Sequence, residues 1–430
     1  MFILLMVSLR LIVVCLAVFL KPRHSLGEKY HRPKIWPRYT ILVPIYKEAH
    51  MVRALMAALD NFDYPKDRLD IIMITEADDM ETIRNVRRYL HPPFRLFETA
   101  PSFPRTKPKA LNKALVAVPP HLIGEIVTIY DAEDRPHPYQ LKAAAIAFEN
   151  DKHLAGVQAP LSFHNDDTNW LTHLFGLEYA ALFEVWNPGL ARIGLPFTLG
   201  GTSNHIRRDI LDRAGGWDCY NVTEDADLSF KINALSINGK RAKIGTIGYG
   251  TQEEIVSTVK DWTAQRSRWL KGFIQTGAVH TRRHKTAPDK SVYTWKSRIS
   301  CFLSLPITIG APLVLSLLHV PSLIVHAVLI LHNLRAPTDS TFLLFFFIGL
   351  GYSSALLIGF VGAVKAGRKH LIKYVFLMPF YWFLFFPSVL IAWHEYITAP
   401  TKWRKTHHAG KEALENFEKE EEKSKHLAAK

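Results

Sequence analysis

The chain has 430 residues, 48% of them hydrophobic and 12% aromatic, and its 53 Lys and Arg against 39 Asp and Glu give a formal net charge of +14. A mean hydropathy of +0.02 fits neither a fully solvated domain nor a bundle made only of membrane helices, and the aromatic content excludes a largely disordered chain. Cys15, Cys219 and Cys301 are too few and too scattered for a disulfide framework or a Cys-based zinc site, which fits a reducing, cytosol-facing body.

Residues 2–20 are apolar apart from Ser8 and Arg10, and Lys21 and Arg23 follow at once. That charge order is the reverse of a cleaved secretory signal, so residues 1–24 are expected to be a transmembrane helix with the following chain in the cytoplasm. Arg10 leaves a surface-lying anchor as the alternative. Across residues 38–280 the pattern changes to short β-branched runs between helical stretches, the signature of an α/β sheet. Tyr39-Thr40-Ile41-Leu42-Val43-Pro44 reads as a buried strand and residues 48–59 as a helix. A second strand at 69–74 precedes the turn Glu76-Ala77-Asp78-Asp79, and a third at 125–130 precedes Asp131-Ala132-Glu133-Asp134. Carboxylates after parallel strands lie where open α/β sheets bind ligands. Neither G-x-x-x-x-G-K-[ST] nor G-x-G-x-x-G occurs, which removes the main support for ATPase and dinucleotide readings. His91, His137, His164 and His205 are not at zinc-site spacings.

Four clusters bear on chemistry. Lys107 stands just before a helix that starts Pro108-Lys109-Ala110, where an ammonium reaches a phosphate or simply solvates the helix start. Asp131, Glu133 and Asp134 repel one another unless a cation such as Mg²⁺ or Mn²⁺ neutralises them; the alternative is an acidic turn capping the next helix. In Val222-Thr223-Glu224-Asp225-Ala226-Asp227, Thr223 is expected to cap a helix while Asp225 takes a proton from an attacking sugar hydroxyl, provided burial lifts its pKa. In a helix over residues 257–272, Gln265, Arg268 and Trp269 share one face, offering an amide, a guanidinium suited to a diphosphate, and a ring. An interfacial helix with Trp262 and Trp269 at the lipid headgroups is the competing reading.

After a linker at 281–300, apolar stretches at 301–331, 342–364 and 374–397 predict three or four spans within 301–397. The first is long for one span and holds Pro306, Pro312 and Pro321, so it is expected to form a hairpin breaking near residues 319–321. A hairpin returns the tail to the cytoplasm, as Lys402, Arg404 and Lys405 favour, whereas Lys365, Arg368, Lys369 and Lys373 oppose it. Residues 412–425 read as a solvated Glu/Lys helix.

In this order the motifs resemble the membrane-integrated processive glycosyltransferases of family 2, the cellulose, chitin and hyaluronan synthases. The resemblance rests on Thr40-Ile-Leu-Val-Pro-Ile-Tyr-Lys-Glu48, Glu76-Ala-Asp-Asp79, Lys107 before Ala110-Leu-Asn112, Asp131-Ala-Glu133, Leu199-Gly-Gly-Thr202, Thr223-Glu-Asp225 and Gln265-Arg-Ser-Arg268-Trp269. It implies an α/β GT-A domain with a mixed, mostly parallel sheet at 38–280, an α-helical transmembrane region, and at 398–430 a cytosolic gating-like segment with a charged tail. It also implies that Tyr46, Glu48 and Glu76 hold the nucleoside, Glu76 standing where most members have Asp. Lys107 would contact the diphosphate, and Asp131 and Glu133 would bind nucleotide and metal. Because the usual pattern is Asp-x-Asp, Asp134 competes with Glu133 as a ligand. Asp225 would be the catalytic base, Gln265 and Arg268 would hold the diphosphate, and Trp269 would frame the acceptor with Gly200, Gly201, Thr202 and Glu224. The implied reaction is an inverting displacement with a nucleotide-sugar, a UDP-sugar, as donor and Mg²⁺ or Mn²⁺ as cofactor. The acceptor would be a growing β-linked polysaccharide, extended and translocated at a bacterial inner membrane from a cytoplasmic catalytic domain. One-step transfer to a polyprenyl phosphate or lipid is the alternative. The basic excess then faces anionic membrane lipid, and nucleic acid is not an expected partner.

Overall fold

The computed structural model describes residues 2–19, 31–118, 124–281, 295–333 and 339–401. Lys21 and Arg23, the gating-like residues from 402 onward and the Glu/Lys run lie outside them. The strands are β1 (Tyr39–Ile45), β2 (Leu69–Glu76), β3 (Phe94–Thr99), β4 (Ile126–Ile129), β5 (Arg135–Pro136), β6 (Leu154–Gln158), β7 (Leu161–Phe163), β8 (Asn204–Arg207), β9 (Ser236–Ile237), β10 (Lys240–Arg241), β11 (Lys243–Thr246) and β12 (Thr251–Glu253). Seven form one sheet in the order β11-β6-β8-β4-β1-β2-β3, and β5-β12-β7 form a small second sheet. All neighbours in the large sheet run parallel except β8, which is antiparallel to β4 and β6.

Sequence explains this layout. In β1 every residue but Pro44 is buried, as expected of a central strand covered on both faces. One face packs Ile41 and Val43 on Leu55, Leu59 and Leu141; the other packs Leu42 and Ile129 on Leu111, Leu115 and Leu228. Because β1 lies between β2 and β4, connections leave it to both sides and a crevice opens above the strands' carboxyl ends. The reversed β8 brings the preceding Gly200-Gly201-Thr202 to that same edge: Ser203 N–H donates to Ile129 O at 2.9 Å.

The N-terminal helix Phe2–Phe19 is part of the core rather than a tether. Its Leu9, Val13 and Val14 share a cluster with Leu190 of helix Asn187–Ile193 and with Ile358 and Val361 of helix Asp339–Lys365. A methyl group on Gly189 would lie 2.4 Å from Val13 Cβ, so only glycine lets these helices meet. Each such buried Val or Leu contributes about 1.5–3 kcal/mol.

Three helices are long and apolar enough to cross a membrane, at Phe302–His332, Phe345–Lys365 and Lys369–Thr398, while the N-terminal apolar helix, Leu4–Phe19, is shorter. The expected hairpin near residues 319–321 does not form. Helix Trp295–Leu305, a π-helical turn at Pro306–Gly310 and helix Ala311–Asn333 follow one another without a break. The wide turn absorbs Pro306, and His319, two residues before Pro321, ties the helix to its neighbours. His319 Nε2 donates to Pro379 O and Nδ1 accepts from Tyr352, both at 3.1 Å.

Helix Val259–Thr281 runs past Gly272, where the sequence pattern ends it. Gly272 is not in the left-handed region, and its bare face admits Thr223, whose Cβ would lie 2.7 Å from an added methyl group. This helix lies parallel to helix Phe385–Thr398: Trp262 meets Phe385, Lys271 meets Glu395 at 3.2 Å, and Gln275 donates to Pro400 O at 2.9 Å.

Candidate active site

The chain leaves β4 into Tyr130-Asp131-Ala132-Glu133-Asp134. Asp134 turns inward: it is 1% exposed, and its Oδ2 accepts the Asp131 N–H at 2.7 Å and the Thr202 hydroxyl. Burial, then Asp131 and Glu133, push its carboxyl well above the ordinary range. A short side chain bonded to its own turn braces that turn. Asp131 and Glu133 line the cavity, whereas Asp134 lies behind them in the turn.

Lys107 opens helix Lys107–Ala117, and its Nζ donates to the Asp131 carboxylate and to Gly201 O, the latter at 2.8 Å. Burial opposes its charge, but Asp131 and Glu224 more than offset this and hold it above the ordinary lysine value. Burial, with Asp131 and Glu48, pushes Glu133 up to about 8. The turn is therefore short of positive charge even with Lys107 present. Among the described residues no three His, Cys, Asp or Glu side chains form a complete metal cage. Two carboxylates opening on a cavity nevertheless fit Mg²⁺ or Mn²⁺, which keeps places for phosphate oxygens and water.

Asp225 is the second residue of helix Glu224–Ala234. Its Oδ1 accepts the Ala226 N–H at 2.8 Å, while Oδ2 faces Gly201. A methyl group at Gly201 would lie 3.6 Å from Asp225 Oδ2 and 3.9 Å from Lys107 Nζ, so this glycine keeps open the space between carboxylate and ammonium. Burial raises Asp225, and burial together with Asp225 pushes Glu224 up to about 7. Thr223 occupies the N-cap position without the expected cap bond; its hydroxyl lies 3.4 Å from Asn221 Oδ1, against Gly272.

Gln265, Arg268 and Trp269 line the same cavity, as their helical spacing predicts. Arg268 lies in the field of Glu224, Asp225 and Asp131, although burial pulls its pKa down. The intervening Arg266 is committed to structure. It makes two 2.7 Å bonds to Glu178 and stacks 4.3 Å from the Phe175 ring centroid and 4.5 Å from that of Trp269. Tyr381 also donates to Glu178, at 2.6 Å, and accepts from Trp262 Nε1 at 2.9 Å. This buried network fixes the helix that carries Arg268.

One cavity of about 570 Å³ is lined by Glu48, Lys107, Asp131, Glu133, Gly200, Gly201, Thr202, Glu224, Asp225, Gln265, Arg268 and Trp269. Tyr46 and Glu76 stand outside that lining, at the neighbouring carboxyl ends of β1 and β2; Glu76 is tied to Lys109 at 3.0 Å and Thr99 at 3.2 Å. Sequence reading missed Glu253, which β12 brings to the cavity and whose carboxyl is pushed up by burial, then by Asp134, Glu133 and Asp131. It also missed the far wall, made by Met6, Phe183, Ile307, Leu315, Ile358 and Phe385.

A mixed α/β sheet with carboxylates, a lysine and an arginine gathered at its carboxyl edge, over a cavity walled partly by apolar helices, defines the class: a nucleotide-sugar-type domain joined to helices long and apolar enough to cross a membrane. The chain belongs to glycosyl transferase family group 2, whose model matches residues 126–394. It is 26% identical over 236 residues to a probable glycosyltransferase, YdaM, of Bacillus subtilis, covering 55% of each chain. It is 25% identical over 272 residues to a beta-monoglucosyldiacylglycerol synthase of Synechocystis, covering 62% of this chain and 53% of that one. The chain thus spans about half the length of the curated relatives it matches. Its fold is GT-A-like. The mannosyltransferase PcManGT from Pyrobaculum calidifontis, solved with GDP-Man and Mn²⁺, superposes with a TM-score of 0.55 at 19% identity, covering 91% of this chain and 99% of that one.

Proposed function

We propose that the chain transfers one sugar from a nucleotide-sugar to a hydroxyl of a membrane lipid, in a single displacement with inversion. The observation that carries this reading is the continuity of the cavity: Asp225, Lys107 and Asp131 open on the same space as Phe183, Ile307, Leu315 and Ile358. Relatives named beta-monoglucosyldiacylglycerol synthases support a lipid acceptor.

In this reading Asp225 takes the proton of the acceptor hydroxyl as its oxygen bonds to the anomeric carbon and the bond to the diphosphate breaks. Lys107 and Arg268 offset the charge on the departing diphosphate, and Gln265 orients it. Asp131 and Glu133 would hold Mg²⁺ or Mn²⁺, which when bound supplies Lewis-acid neutralisation of that leaving group. Tyr46, Glu48 and Glu76 hold the nucleoside, and Trp269 with Gly200, Gly201, Thr202 and Glu224 frames the acceptor. The domain spanning residues 38–280 works on the cytoplasmic face of a bacterial inner membrane.

Processive polysaccharide synthesis is the second reading, favoured by Gln265, Arg268 and Trp269 on the cavity wall in the spacing of those synthases. Incubating the purified full chain with labelled nucleotide-sugars, Mn²⁺ and either dispersed membrane lipid, diacylglycerol and phosphatidylglycerol in parallel, or oligosaccharide primers separates the two. Label in the organic phase with the lipid supports the proposal; label only in glycanase-sensitive aqueous material overturns it.

A further inference from the structure

Two polar side chains stand in the apolar part of the cavity without the partners their chemistry requires. Arg10, in helix Phe2–Phe19, donates to Gly351 O at 3.1 Å and lies 3.4 Å from Ser354 Oγ, both on helix Asp339–Lys365. Both acceptors are neutral, and among the described residues no carboxylate pairs with this guanidinium. Asn187 is 1% exposed and lines the same cavity, and neither atom of its amide has a hydrogen-bond partner among the described residues. Their helices pack on one another, Gly189 meeting Val13, and both side chains line the one cavity.

A cation among apolar groups is costly unless an anion accompanies it, and a buried amide without partners loses its hydrogen bonds to water. One kind of ligand answers both needs: an anionic oxygen group for the guanidinium, with further donors and acceptors for the amide. Free inorganic anions do not gain from the surrounding Met6, Phe183, Ile307 and Ile358, whereas lipids do. We infer that Arg10 and Asn187 form a subsite for the phosphate group of a membrane phospholipid whose apolar part runs along Ile307, Leu315 and Ile358. On the lipid-acceptor reading, from which this follows as a refinement, the phosphate anchor leaves the headgroup hydroxyl facing Asp225, and the acceptor is an anionic phospholipid rather than neutral diacylglycerol.

The test is binding of tritiated dioctanoyl phosphatidylglycerol and of dioctanoylglycerol to the purified full chain in detergent. The wild-type chain is expected to prefer the phospholipid by about tenfold or more, with inorganic phosphate failing to displace it. Arg10→Gln should abolish the preference and Arg10→Lys should retain part of it. Asn187→Leu should weaken phospholipid binding yet raise the thermal midpoint of the lipid-free chain, because it removes an unpartnered buried amide; a merely structural asparagine would not separate the two effects. Equal affinity for both lipids, displacement by inorganic phosphate, or a preference that survives in folded Arg10→Gln protein overturns the subsite. A wild-type chain that binds phosphatidylglycerol through Arg10 but glycosylates no lipid keeps the subsite and removes the acceptor reading.

Discussion

Asp225 and its neighbour Glu224 share one buried corner, and burial raises both carboxyls, Glu224 to about 7. A raised pKa keeps the base protonated to higher pH, so sugar transfer should fall as pH drops through values above the ordinary aspartate range. The apparent values belong to the pair. Asp225→Asn should cost on the order of 10²-fold or more at every pH. Near-normal turnover in that variant contradicts the assignment. Glu133 supplies a stability test. Its folded pKa of about 8 lies above the unfolded value, so the folded chain holds the extra proton. Its contribution is fully present below the unfolded pKa and is lost as pH rises through about 8. The nucleotide-free chain should therefore melt earlier at pH 8 than at pH 6, and Mn²⁺ should recover more at the higher pH. Glu133→Gln should flatten both trends in a thermal melt; an unchanged profile removes Glu133 from the metal site.

At the scale of elements, the position of helix Val259–Thr281 sets the site, because it carries Gln265, Arg268 and Trp269. Two of the contacts that hold it lie beside the site: the Arg266–Glu178 pair and the close approach of Gly272 to Thr223. Removing one partner of a buried pair typically costs about 3–5 kcal/mol, so Glu178→Gln should be markedly destabilising, while joint replacement with Arg266→Met should be milder. Denaturation midpoints of the two variants check this, and additive losses would contradict it. Gly272→Ala should push the helix from Thr223 and slow transfer by about tenfold or more, with far-UV circular dichroism unchanged. Residues such as Asp131, Glu133, Asp225 and Arg268 were legible in the sequence because each stands in a short contiguous motif beside a recognisable strand or helix. Glu253, Arg10 and Asn187 carry no local signal of a site; a three-residue strand pairing, the packed N-terminal helix and the helix that follows a π-helical turn bring them to the cavity. The expected hairpin and the expected stop at Gly272 fail because Pro and Gly mark a break only when no neighbour compensates: His319 ties the helix beside Pro321 to Pro379 and Tyr352, and Gly272 meets a close-packed threonine.

At the scale of the molecule, helix Lys369–Thr398 is long and apolar enough to span a membrane, yet both its ends meet the catalytic body. Arg368 pairs with Asp166 at 2.5 Å before it, and Gln275 holds Pro400 after it. Its last part also runs parallel to a helix of the active site, so it is expected to lie along the interface rather than across the membrane. On that topology Phe302–His332 would leave the catalytic side and Phe345–Lys365 would return, so that the basic residues from Lys365 to Lys373 and the chain at Thr401 would share one face. In a chain whose native cysteines are replaced by serine, Ala366→Cys and Thr401→Cys should both react with an impermeant maleimide from the same membrane face; reaction from opposite faces contradicts this topology.

On the proposed function the cavity presents a lipid hydroxyl, once, to a nucleotide-sugar. The mass spectrum of the product formed by the purified chain in lipid nanodiscs with a nucleotide-sugar and Mn²⁺, beside Asp225→Asn, tests this most directly. A lipid heavier by a single sugar residue, absent from the variant, is the expected product; a ladder of many sugars, or a glycan bearing no lipid, would contradict it.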